Sequence, residues 1–169
     1  MFLTHNLYDS SKRTDGDFIE YVTTCSVANA VFVDCTANRD ISGRYLELFK
    51  HKISVVTCNK IANSLSFDYF KQLADVALNE GVNYKYETTV GAALPVLYTI
   101  RQIIDSGDNI VSIEGILSGT LNYLFSKYNG EVSFGLLVKD AVEEGYTEPD
   151  PRIVLGGTDV LRKVLILCR

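Results

Sequence analysis

The stretch Ala30-Val31-Phe32-Val33-Asp34-Cys35 and its echo Ile53-Ser54-Val55-Val56-Thr57-Cys58 decide the fold of this chain. Each is a β-branched, apolar run of strand length. Between them Ile41, Tyr45, Leu46 and Phe49 recur at helical spacing, which makes the segment a strand–helix–strand unit. The alternation continues. Phe70, Leu73, Ala74, Ala77 and Leu78 predict a helix over residues 67–79, Gly81 stops it, and Tyr84-Lys85-Tyr86-Glu87-Thr88 reads as a third strand. Strands alternating with helices imply a parallel sheet of the α/β class.

Working outward, the N-terminal side is polar and loop-like over residues 9–17, with a short helix over 18–22. On the C-terminal side, Pro95 opens a helix over 96–104, Ser106-Gly107-Asp108 makes a turn, and residues 110–116 read as a strand. A helix then starts at Ser118-Gly119-Thr120, another runs over 133–144 to Gly145, and the last begins near Thr158. That last helix ends in Val164-Leu165-Ile166-Leu167-Cys168-Arg169 and is apolar on most sides, so something must bury it. The expectation is a fragment of a longer protein, cut at both ends, or an obligate oligomer.

Composition narrows the function. With 169 residues, 47% of them hydrophobic, the chain can build a substantial core. Its net charge of -5, without a basic run, favours a small ligand and neither nucleic acid nor an anionic membrane. No apolar stretch approaches the roughly 18 to 20 residues of a membrane span. Without the layout of a signal peptide at its start, the expected compartment is cytoplasmic. Cys25, Cys35, Cys58 and Cys168 form no CxxC pair and read as reduced, mostly buried thiols.

In a parallel sheet, ligands bind beyond the carboxyl ends of the strands. Thr36-Ala37-Asn38 follows the first strand and Asn59-Lys60 the second, a set suited to the nicotinamide and ribose side of a dinucleotide. The competing reading is that Thr36 and Asn38 only cap the next helix. The G-x-G-x-x-G phosphate fingerprint is absent. Gly115-Ile116-Leu117-Ser118-Gly119-Thr120 offers an anion nest superficially, but Thr120 as a helix cap explains it more cheaply. Gly145-Tyr146-Thr147-Glu148-Pro149-Asp150-Pro151-Arg152 is a stiff acidic loop, because each residue before a proline is driven to extended geometry. It is suited to gripping a substrate's amino or hydroxyl group, or to joining two helices. Asp159 and Lys163 stand at i and i+4, the favourable orientation for an ion pair. Their stripe continues through Val160, Ile166 and Leu167, so Lys163 reads as a core-facing lysine poised for proton transfer. Around Gly91, backbone carbonyls together with Glu87 suit a hard monovalent cation, although a plain strand-to-helix turn has the same composition.

Four stretches carry a resemblance: residues 57–64, the turn Thr89-Val90-Gly91-Ala92-Ala93-Leu94-Pro95, residues 115–123, and residues 145–152. Occurring in this order, they make the chain from about Val31 to Arg169 look like homoserine dehydrogenase, in the version fused behind an aspartate kinase. The resemblance implies an incomplete Rossmann-like nucleotide-binding domain over residues 1–84. An α+β catalytic and dimerisation domain over 85–169 follows, truncated at its C-terminus. It further implies NAD(P)-dependent interconversion of L-homoserine and L-aspartate 4-semialdehyde in threonine and methionine biosynthesis, by a homodimer or higher homo-oligomer. Lys163 matches the proton donor, and Lys60 a lysine against cofactor and substrate. Glu148 and Asp159 match substrate-binding acids, and Thr36 and Ala37 a cofactor-contacting loop. Glu87, Val90, Ala92 and Leu94 match a monovalent-cation site, with sodium the expected ion. Where the family commonly reads Pro-Arg-Asp-Asp-Leu-Ser-Gly, this chain has Pro151-Arg152-Ile153-Val154-Leu155-Gly156-Gly157. The second lost aspartate, at Val154, belongs to the substrate-facing set. That departure feeds an alternative, a catalytically impaired homologue or fragment serving as an assembly or regulatory module. The glycine-rich βα unit is also missing from the chain, and Cys58 and Ile61 replace a proline and a second lysine.

Overall fold

Parallel strand pairing at the start of the chain sets the framework for everything downstream. The computed structural model describes residues 15–25, 27–147 and 151–169. It divides into two units, one ending at Tyr86 and the other beginning at Glu87.

In the first unit α1 (Asp15–Thr24) is followed by β1 (Val31–Asp34), α2 (Arg39–Gly43), α3 (Tyr45–Lys50), β2 (Ser54–Thr57), α4 (Phe67–Glu80) and β3 (Tyr84–Lys85). The strands form one parallel sheet in the order β1-β2-β3, with Val31 opposite Ser54 and Asp34 opposite Thr57. Side chains alternate across a strand, and here the alternation separates a covered face from an open one. Phe32 and Val55 point into a core with Ile19, Tyr45, Leu48, Phe49, Leu73 and Ala77. Val31, Val33 and Val56 point the other way and are 57%, 62% and 40% exposed.

The helix predicted over 41–50 is two short helices, broken at Arg44, whose backbone (φ -103°, ψ 7°) leaves the helical region and donates to the Ile41 carbonyl. The Arg44 guanidinium grips Glu47 at 2.8 Å. Helix α4 stops at Gly81 as the sequence implied, because a φ of +67° there carries the left-handed cap that glycine adopts freely. The third strand is only two residues long, since residues 87–89 turn into a single 3-10 turn.

The second unit contains α5 (Val96–Asp105), α6 (Gly119–Lys127), α7 (Phe134–Glu143), α8 (Pro151–Leu155) and α9 (Thr158–Leu167). Leu124 of α6 packs with Leu137 and Ala141 of α7, and Tyr123 stacks on Tyr146 at 4.2 Å between ring centroids. The strand expected over 110–116 is not formed. A β-rich sequence becomes a strand only when a neighbour completes its ladder. Among the described residues of this unit none does, and Val111 is left 97% exposed. The helix cap also differs from expectation. Ser118, not Thr120, accepts from the Leu121 amide, while Thr120 Oγ1 donates to the Tyr146 carbonyl at 2.7 Å. The cysteines are likewise not mostly buried. Cys35 and Cys168 are exposed and Cys25 and Cys58 half-buried, because Cys35 and Cys58 continue the alternation of β1 and β2 on the open face. No helix among the described residues is long and apolar enough to cross a membrane.

Candidate active site

At the carboxyl end of the sheet the side chain of Asp34, 1% exposed, ties two loops together. Its Oδ1 accepts from the Thr36 amide at 2.8 Å and from the Thr36 hydroxyl at 2.7 Å. Its Oδ2 accepts from the Tyr45 hydroxyl and from Asn59 Nδ2 at 3.1 Å. A buried carboxylate is tolerated only when its lone pairs are met by donors, and these four donors meet them.

Asn59 extends the network. Its Nδ2 also donates to the Asn38 carbonyl at 2.9 Å, its Oδ1 accepts from the Ile61 amide, and its own amide donates to Thr57 Oγ1. The loop after β1 and the loop after β2 are thus one hydrogen-bonded assembly. Burial first, and then the bond to Asp34, push the Tyr45 phenol far above its ordinary value. The Tyr84 phenol, which donates to Asn63 Oδ1 at 2.8 Å, is likewise pushed far up, chiefly by burial.

This network carries two of the sequence candidates, Thr36 and Ala37, which are exposed, and runs directly into a third, Lys60, which is half-buried. Asn38 caps α2 with its side chain, accepting from Asp40 and Ile41 amides, whereas the Thr36 hydroxyl donates to Asp34 and accepts from the Asn38 amide at 3.1 Å, just ahead of the helix. Asp34 and Tyr45 were not singled out as site residues from sequence, whereas Asn59 was, together with Lys60, in the polar stretch after the second strand. The available signal was a charged residue closing an apolar strand, one step before the polar loop.

In the second unit, Lys163 Nζ meets Asp159 Oδ2 at 2.7 Å and donates to the Leu117 carbonyl at 2.7 Å. The lysine side chain is 19% exposed and the aspartate 37%. A cation in that position, pinned by one carboxylate and one carbonyl, keeps a third donor direction for another oxygen. Glu148 lies outside the described residues. Val154, in α8, is half-buried.

The Glu87 carboxylate accepts from the Leu97 and Tyr98 amides, each at 2.9 Å, so it caps the start of α5, where the helix dipole favours an anion. Val90 is buried, Ala92 and Leu94 are exposed, and Gly91 and Ala92 both have positive φ, 79° and 51°. A Cβ on Gly91 would come within 2.5 Å of Val96 Cγ2, so glycine is required there. The turn fits a backbone-ligated ion only in part. Glu87 has spare lone pairs, while the Leu94 carbonyl already accepts from Val96. Also within the second unit, Ile100, Ile104, Ile113, Val160, Val164 and Leu167 line an apolar groove of about 700 Å³.

Comparison with known proteins places both parts of the chain in one family. The family model described as the NAD binding domain of homoserine dehydrogenase matches residues 10–87, and the one described as homoserine dehydrogenase matches residues 95–169. The chain is 48% identical over 143 residues to bifunctional aspartokinase/homoserine dehydrogenase 2 of Arabidopsis thaliana, covering 85% of this chain and 16% of that protein. Against bifunctional aspartokinase/homoserine dehydrogenase 2 of Escherichia coli the identity is 44% over 139 residues, covering 82% and 17%.

Among solved structures, a hyperthermophilic archaeal homoserine dehydrogenase in complex with NADPH aligns with a TM-score of 0.74 and 25% identity, over 81% of this chain and 42% of that one. The homoserine dehydrogenase of Thermoplasma acidophilum aligns with a TM-score of 0.59 and 28% identity, over 83% and 44%. The chain therefore spans under a fifth of these two curated relatives. With one homoserine dehydrogenase family model matching residues 10–87, another matching 95–169, and a curated relative 48% identical over 85% of the chain, the chain belongs to the homoserine dehydrogenase family.

Proposed function

We propose that this protein is an NAD(P)-dependent homoserine dehydrogenase, interconverting L-homoserine and L-aspartate 4-semialdehyde on the route to threonine and methionine. The observation that carries the reading is the Lys163 ammonium, shielded and held between Asp159 and the Leu117 carbonyl.

A nicotinamide dinucleotide, when bound, would supply the hydride chemistry of the reaction. The chain's residues do the rest. Lys163 hands a proton to the oxygen as it becomes an alkoxide, which lowers the barrier by matching charge as it develops. Asp159 keeps that ammonium aimed and, with Glu148, binds the substrate's amino group. Thr36 and Ala37 contact the cofactor, and Lys60 lies against cofactor and substrate. The Asp34 network fixes the loops that present these three residues. The chain has no G-x-G-x-x-G pyrophosphate fingerprint.

Glu87, Val90, Ala92 and Leu94 hold a monovalent cation, sodium, that stiffens the turn into α5. The protein works as a homo-oligomer in the cytoplasm.

The test is homoserine-dependent NADP+ reduction by the full-length protein and by its Val154→Asp variant. Turnover in the parent, raised or unchanged by the new carboxylate, supports the reading. A parent at background that nevertheless binds NADP+ defeats it.

A further inference from the structure

Two thiols follow the ends of neighbouring strands of the sheet. Asp34 and Thr57 are the last register partners of β1 and β2, so Cys35 and Cys58 are the residues immediately after them. The ladder reaches that far, because the Cys58 amide donates to the Asp34 carbonyl at 3.1 Å.

Alternation turns both side chains away from Asp34 and Thr57, onto the face that Val33 and Val56 share. Cys35 is exposed and Cys58 half-buried, and both are free thiols. Neighbouring strands lie about 4.8 Å apart, which falls within the Cα separations of about 4.4–6.8 Å that a disulfide spans. Each thiol immediately precedes a segment assigned above to the cofactor, Thr36-Ala37 in one case and Asn59-Lys60 in the other.

We propose that Cys35 and Cys58 form a redox-closable thiol pair at the cofactor edge of the sheet, with a low-molecular-weight disulfide as oxidant. The Cys35 thiolate attacks one sulfur of the oxidant and expels the first thiolate. The Cys58 thiolate then attacks the Cys35 sulfur of the mixed disulfide, forming the protein disulfide and expelling the second. Two protein thiols are oxidised, one external disulfide is reduced to two thiols, and two protons pass to solvent or to the departing thiolates.

Closure draws together the first residues of two loops whose spacing the Asp34 network sets, and so disfavours the dinucleotide. Linkage makes the effect reciprocal, since bound nucleotide then resists closure by the same factor. This consequence for the cofactor rests on the function proposed above, whereas the thiol pair does not.

The experiment treats the full-length protein with oxidised glutathione, digests it with trypsin and analyses it by mass spectrometry, while nucleotide affinity is read by fluorescence. Arg39, Arg44, Lys50 and Lys52 lie between the two cysteines, so a bridge appears as two joined peptides. The expected result is a Cys35–Cys58 linked peptide, a loss of NADPH affinity of about tenfold, and protection against bridging by saturating NADPH. Dithiothreitol reverses all of it. Cys58→Ser carries only glutathione on Cys35 and keeps its affinity. Glutathione on Cys35 without the linked peptide in the parent overturns the proposal, as does bridging that leaves affinity intact in a protein that binds NADPH. A linked peptide in a protein that binds no NADPH in either redox state leaves the pair standing and counts against the functional reading instead.

Discussion

Lys163 and Asp34 illustrate two ways in which a single charged side chain acquires a purpose. Lys163 sits at the end of a favourable i, i+4 pair, and that much is visible in sequence. Its second partner, the Leu117 carbonyl, is 46 residues away and is not. If Lys163 is the proton donor proposed above, Lys163→Ala in the full-length protein lowers turnover by about 100-fold or more, as loss of a general acid does. Steady-state kinetics with unchanged turnover would remove Lys163 from the proton-transfer role. Asp34 escaped notice for the same reason, since its four donors arrive from Thr36, Tyr45 and Asn59 across two loops and a helix. Two buried phenols, Tyr45 on Asp34 and Tyr84 on Asn63, give a pH signature. Tyr45 and Tyr84 have folded values raised above the ordinary value of about 10. The folded state therefore binds more protons than the unfolded state in alkali, and stability, fully present below pH about 10, falls as the pH rises beyond it. Absorbance at 295 nm should show these two phenols ionising only with the cooperative loss of far-ultraviolet circular dichroism. Ionisation in the intact fold would contradict their burial.

At the scale of elements, legibility followed the range of the interaction that forms each one. Helix α4 was readable because its cap Ser66, its apolar stripe and its Gly81 stop are all local. The break between α2 and α3 at Arg44 was not, because one apolar period runs through both helices, while the hydroxyl of Tyr45, the first residue of α3, is tied to Asp34 and Thr57 outside them. Residues 110–116 failed in the opposite direction, a strand-like sequence lacking a described partner. The βαβ framework came through intact, because parallel pairing of two apolar runs about a helix leaves few alternatives. The turn before α5 was read as a cation site, and it also proves to be a helix cap. Glu87→Ala should therefore destabilise the second unit by about 1 kcal/mol, the usual loss for a capping side chain. Urea melts in sodium chloride and in tetramethylammonium chloride separate the two roles. A loss larger in sodium supports ligation by Glu87, and an equal loss in both salts leaves it as a cap alone.

For the molecule as a whole, the covered and uncovered surfaces matter as much as the core. The first unit leaves Val31, Val33 and Val56 in the open, and the second leaves an apolar groove flanked by α5 and α9. Apolar area of this kind marks surfaces that associate. The 169-residue chain by itself is expected to bind 1-anilinonaphthalene-8-sulfonate while folded and to elute in gel filtration above its 18.8 kDa mass. A monomeric, dye-free chain would contradict the exposure seen here. Strand β1 adds a hazard of another kind. Among the described residues it pairs with β2 on one side only, and no described strand covers its other edge, which runs beside uncharged valines. Such an edge can template cross-β growth, the route by which folded domains seed fibrils. A lysine gatekeeper at Val33, whose side chain is already in solvent, would block that growth without touching the core, and would make recombinant preparation of this chain more tractable.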